Sequence, residues 1–214
     1  MPIDKLPDDV ILAIFYFCIL EQSIKQSITK KEVEAWQTLV HVCRQWRRVV
    51  FRSPRRLNLR LFCATKTRTP LKDMLDVWPI ALPLVIQGIV KRAEESDNTV
   101  AVLEHSDRVY HIGLAEQSSY LENILTAMQK PFPELTYLWL LSLRGATVIP
   151  DSFLGGSAPR LQSLSLLGIP FPGLPKLLSS ATHLTDLTLS IIPHSWYISP
   201  TGIITAVTDA GLDS

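Results

Sequence analysis

The chain has 214 residues, 47% hydrophobic and 19% charged, with a formal net charge of +1. That suits one large or two small domains with a proper core, and it leaves no bulk field that would argue for nucleic acid or a membrane. The three cysteines, Cys18, Cys43 and Cys63, are an odd count; without a secretory signal, reduced thiols and a cytoplasmic or nuclear address are expected.

The first element is Val10–Leu20, VILAIFYFCIL, uncharged and apolar on every side. A signal peptide would need a positively charged start, and Asp8-Asp9 precedes this run. A membrane span would need about 20 apolar residues, roughly twice what is here. Pro7 fits the first turn of a helix, and Asp8 and Asp9 complement its dipole. A helix of about three turns is expected. Being apolar all round, it must be buried all round, so either the rest of the chain wraps it or a second protein covers its far side.

Glu21–Lys31 reads as a loop. Thr29 and Glu32 are spaced as a capping box, opening a second helix with Val33, Trp36, Leu39 and Val40 at helical spacing. A third helix, Cys43–Phe51, turns Cys43, Trp46, Val49 and Val50 inward and Arg44, Arg47 and Arg48 outward. Ser53-Pro54 ends it, because the residue before proline disfavours the α region.

From Leu57 the period changes. The pattern LxxLxL occurs at Leu135-Leu138-Leu140, Leu161-Leu164-Leu166 and Leu184-Leu187-Leu189. Degenerate copies stand at Val109-Ile112-Leu114, at Leu82 with Val85 and Ile86, and at Leu57-Leu59-Leu61. A repeat of roughly 20–29 residues is that of a leucine-rich repeat. Each copy predicts a short strand with alternate leucines inward, then a return. Ser118–Lys130 (Leu121, Ile124, Leu125 and Met128 inward), Pro175–Ser180 and Thr201–Thr208 supply helices. Pro133, Pro159 and Pro172 punctuate the returns. The positions at which many such repeats carry a turn-capping asparagine hold Leu143, Ile169 and Ile192, so irregular turns are expected. The last strand would lack a polar capping repeat, which suggests a C-terminally truncated product.

The N-terminal residues Leu6-Pro7-Asp8-Asp9-Val10-Ile11-Leu12-Ala13-Ile14-Phe15, then Trp36 and Leu39, then Val42-Cys43-Arg44-Gln45-Trp46-Arg47-Arg48-Val49-Val50 and Ser53-Pro54, resemble an F-box. The whole is similar to F-box proteins of mushroom-forming fungi, in which irregular leucine-rich repeats follow directly. The resemblance implies a small all-α three-helix F-box domain over residues 4–53, followed over 54–214 by an α/β leucine-rich-repeat solenoid of parallel short strands. It also implies a non-catalytic substrate receptor of a ubiquitin ligase. The F-box would dock on a Skp-type adaptor, and through it a cullin. Carried over, the adaptor contacts are Leu6, Pro7, Ile11, Ile14 and Phe15, with Trp36, Leu39, Trp46 and Val49 as the domain's own core. The long Glu21–Glu34 connection departs from the family pattern.

The strand side of such a solenoid forms an extended concave surface. Tyr110, Tyr137, Trp139 and Gln162 are the candidate contacts for a protein substrate, since Tyr and Trp dominate binding hot spots. Neighbouring outward positions are His111, Ser163, Ser165, Thr185, Asp186 and Thr188. No phosphate loop follows Gly155-Gly156, no cysteine–histidine spacing suggests a metal, and Leu103–Asp107 reads as a polar loop. Neither cofactor nor metal is expected. Arg44, Arg47, Arg48, Arg52, Arg55, Arg56 and Arg60 form a basic run of the kind that can mark nucleic-acid contact or nuclear import; without an aromatic stacking platform and with a net charge near zero, they read as a solvated outer face of the third helix and its exit, with an acidic partner surface as an open alternative. The rival reading of the whole chain is a repeat scaffold without a ligase, or a truncated, non-functional product.

Overall fold

A computed structural model of the chain describes residues 6–23, 40–52, 57, 59–66, 71–78, 82–116, 120–142 and 147–191. The chain divides into two compact units, 1–62 with 78–83, and 63–77 with 84–214. The sequence reading put the boundary at 53/54. Trp78 belongs with the helical unit because its ring packs edge-on against Phe51 at 6.0 Å and His41 at 6.4 Å.

In the helical unit, α1 spans Asp8–Ser23. It starts where Pro7 cannot donate but can accept: the Pro7 carbonyl receives the amides of Val10 (3.0 Å) and Ile11 (3.1 Å). It runs on through Glu21, Gln22 and Ser23, which the sequence reading placed in a loop. Glu and Gln are good helix formers, and no glycine or proline intervenes to stop the turn. Helix α2 spans Arg44–Arg52 and buries Trp46, Val49 and Val50, an i, i+3, i+4 stripe. Cys43 falls one residue before it, half-buried, with its carbonyl accepting the Arg47 amide at 3.2 Å. Phe15 packs on Trp46 with ring centroids 5.2 Å apart, and Gln45 Nε2 donates to the Leu6 carbonyl at 3.0 Å. Of the expected second helix only Val40 is described, and it is buried. Val33, Trp36 and Leu39 lie outside the described residues, as does the Thr201–Thr208 helix.

The other unit is built on a sheet. Six strands follow one another in chain order: β1 (Leu61–Ala64), β2 (Leu84–Val90), β3 (Val109–Glu116), β4 (Tyr137–Ser142), β5 (Ser163–Leu167) and β6 (Asp186–Ser190). Neighbours from β2 to β6 pair in parallel. Between them come α3 (Leu71–Val77), α4 (Ala93–Leu103), α5 (Leu121–Ala127), a short 3-10 turn at Phe153–Gly156, and α6 (Leu174–Ser180). Helices α3, α4 and α5 pack against one another in sequence order. The result is an α/β repeat of solenoid type.

Register explains the core. One inward row runs Ile86, Ile112, Leu138, Leu164, Leu187, and the next runs Gly88, Leu114, Leu140, Leu166, Leu189. From β2 to β5 these apolar side chains are at most 2% exposed, each burial contributing about 1.5–3 kcal/mol. In β6, Leu187 and Leu189 are only half-buried. Gly88 breaks its row because Thr65 occupies the space; a Cβ there would run into the Thr65 side chain. The strands are entered by repeated turns: the amides of Leu135, Leu161 and Leu184 donate to the carbonyls of Phe132, Ala158 and Ala181 at 3.1–3.2 Å. Pro133 and Pro159 take the second turn position, which suits proline.

Of the positions lacking an asparagine, Leu143 and Ile192 lie outside the described residues, while the exits after β5 and β6 share one backbone conformation. After β5 the chain turns through Gly168 at φ 71, its amide donating to the Ser190 carbonyl at 2.9 Å. A Cβ on Gly168 would meet the Ser142 carbonyl oxygen. One repeat later the equivalent position is Ile191, also left-handed at φ 58.

Candidate partner-binding surfaces

Helix α1 sorts its apolar residues onto two sides. Ile11 and Phe15 are 0% exposed, with the Phe15 ring tilted 57° against Trp46. Leu6 and Ile14 are half-buried, and Pro7 is exposed. So two of the five expected adaptor contacts are inside the helical unit. The reason is spacing: Ile11 and Phe15 are one turn apart, on the side that meets Trp46 of α2. The outward side instead carries Val10 (42% exposed), Ala13 and Phe17 (67%), with Tyr16 (50%) beside them. Tyr16 and Phe17 rings lie edge-to-face at 6.3 Å. Trp46 Nε1 is buried without a hydrogen-bond partner.

On the sheet, the residues alternating with the buried ladder form two outward rows. The first runs Val85, His111, Tyr137, Ser163, Asp186, with Val85 itself buried, and the second Gln87, Gly113, Trp139, Ser165, Thr188. His111 and Tyr137 stack almost parallel, with centroids 4.1 Å apart and planes 6° apart. Trp139 is half-buried next to Gly113. A Cβ on Gly113 would lie in ordinary contact with Gln87 Cγ (3.5 Å) and His111 Nε2 (3.6 Å). The structure thus brings Tyr137 and Trp139 onto one face.

Tyr110 and Gln162 are not on these rows. They sit one residue earlier, in the ladder of strand entries: the Tyr110 carbonyl accepts the Thr136 amide at 3.0 Å, and the Gln162 carbonyl accepts the Thr185 amide at 2.8 Å. Thr136 and Thr185 hydroxyls donate to the same two carbonyls. His111 is the aromatic partner of Tyr137 that sequence reasoning ranked behind Tyr110. Counting back from Tyr137 in steps of one repeat points to it once the 26-residue offset between the strands is known.

Burial pushes the Cys63 thiol up to about 12, with Arg108 opposing, so the group stays protonated at neutral pH. Burial also lowers Arg108 from its ordinary value. Among the described residues no group of three or more His, Cys, Asp or Glu could hold a metal ion, and no helix is long and apolar enough to cross a membrane. Compared with known proteins, the chain matches no family model, and neither the curated proteins nor the solved structures give a significant match.

Proposed function

We propose that this chain is a non-catalytic substrate receptor of a Skp–cullin–F-box ubiquitin ligase, in the cytoplasm or nucleus. Its helical unit, an F-box, docks on a Skp-type adaptor, and its leucine-rich repeats hold a protein substrate. The work is proximity and orientation; no cofactor, nucleic acid or membrane takes part. The observation that carries this reading is the outward face of α1, where Val10, Tyr16 and Phe17 stand 42%, 50% and 67% exposed. Apolar side chains clustered this way mark an interaction surface. The F-box resemblance supplies the partner's identity, and Pro7 and the half-buried Leu6 and Ile14 extend the contact. On the repeats, Tyr137 and Trp139 are the anchors, flanked by His111 and Gly113.

The test is a pull-down of the purified chain with a fungal Skp-type adaptor, wild type beside Phe17→Asp and Tyr137→Ala/Trp139→Ala. Binding by wild type and by the double alanine variant, with loss in Phe17→Asp, is the expected result. A folded wild-type chain that captures no adaptor refutes the ligase reading and leaves a repeat scaffold.

A further inference from the structure

Helix α2 has a feature that apolar docking does not use. Arg44, Arg48 and Arg52 recur at i, i+4, i+8 and are all exposed. They form a stripe about 12 Å long at 1.5 Å per residue, with exposed Arg47 alongside. The helix holds no acidic residue. Like charges one turn apart repel, and Arg44 stands in the first turn, the positive end of the dipole. Between Glu34 and Asp73 the chain has ten Lys and Arg and no Asp or Glu.

Among the described residues, the side chains of Arg44, Arg48 and Arg52 make no hydrogen bond or ion pair, whereas the exposed Arg160 side chain in the sheet unit pairs with Glu134 at 2.5 Å. Arg47 is held in place by donating from Nε to the Val40 carbonyl (3.3 Å) and from a guanidinium nitrogen to His41 Nδ1 (3.5 Å).

We infer that the Arg44/Arg48/Arg52 stripe is a docking surface for an acidic protein helix, whose carboxylates one turn apart meet the three guanidinium groups. The helical repeat matches on the two sides, about 6 Å per four residues, and the planar guanidinium forks suit carboxylates. A nucleic acid would be favoured by aromatic faces open for stacking beside the charges. Here Trp78 is bracketed edge-on by His41 and Phe51, so these rings engage one another. The exposed Val42 (50%) and half-buried Phe51 border the stripe, giving the mixture of arginine, aromatic and aliphatic surface that protein interfaces favour.

The experiment titrates the full chain with an alanine-based helical peptide carrying Glu at i, i+4 and i+8. Its Gln counterpart and a tetranucleotide bearing the same three negative charges are the controls, and arginine Nε–Hε resonances are followed by NMR. The Glu peptide should shift Arg44, Arg48 and Arg52, and the Gln peptide should not. Its dissociation constant should rise about tenfold in Arg44→Glu/Arg48→Glu and less in Arg44→Gln/Arg48→Gln, which removes two charges without reversing them. Phe17→Asp should leave it unchanged, which separates this surface from adaptor docking. Unshifted arginines, an unchanged constant on charge reversal, or tighter binding of the tetranucleotide would each overturn the proposal.

Discussion

The helical unit and the sheet unit treat apolar side chains in opposite ways. In α1, Phe15 is 0% and Phe17 67% exposed, two residues apart, because Phe15 is on the side that meets Trp46 of α2 and Phe17 is not. In the sheet, every inward leucine from β3 to β5 is covered, since each strand has a neighbour on both sides. Charge divides the same way: residues 1–62 carry eleven Lys and Arg against six Asp and Glu, so the +1 of the whole chain hides a basic region. A repeat obtains its burial from the adjoining repeat. In the helical segment the other side of α1 stays exposed at Val10, Tyr16 and Phe17.

The largest effect expected from this contrast lies within α1. Phe15→Ala should destabilise the helical unit by about 3–5 kcal/mol, while Phe17→Ala should change stability by less than about 0.5 kcal/mol. Urea unfolding followed by tryptophan fluorescence, which reports Trp46, compares them; equal costs would erase the two-sided reading of the helix. Next, Leu164→Ala in β5 should cost about 2–5 kcal/mol, and Leu187→Ala in β6 less than half of that, because Leu187 is only half-buried. Equal losses in the same denaturation assay would mean that β6 is as well covered as its neighbours. The smallest change is a gain. Ile191→Gly should raise stability by about 1–2 kcal/mol, the cost of a left-handed conformation for a residue with a Cβ, measurable as a higher melting temperature. A loss would show that the Ile191 side chain contributes more by packing than its backbone costs.

Much of this architecture could be read from the residues. The LxxLxL copies predicted β4, β5 and β6 with the correct leucines inward, and even the degenerate Val109-Ile112-Leu114 copy is β3. The first two strands fall further along than their leucines suggested: β2 runs to Val90 and β1 begins only at Leu61. Helix α4 escaped notice for a clear reason. Its inward positions are Glu95, Ser96, Thr99, Val102 and Leu103, so no apolar period announces it. Two of the polar residues on that face find local partners: Glu95 accepts the Lys91 amide at 2.6 Å, and Thr99 donates to the Glu95 carbonyl at 2.7 Å, whereas the buried Ser96 hydroxyl has none.

The candidate surfaces were only partly legible. Hydrophobic spacing showed that α1 has two apolar sides but not which one meets Trp46, and this decides between Phe15 and Phe17. The stacking of His111 on Tyr137 depends on strand register, which a degenerate repeat leaves open to one residue. The approach of Trp78 to α2 joins residues far apart in sequence, beyond the reach of any local pattern.

The chain order of the strands has a consequence for how the protein is made. From β2 onward each strand pairs with the one synthesised just before it, so no strand waits for a partner still to be translated. Contacts limited to the adjoining repeat keep the loop-closure entropy of each pairing low. The sheet can therefore grow strand by strand as the polypeptide leaves the ribosome, at the pace of translation. At every moment the newest strand is its one growing edge.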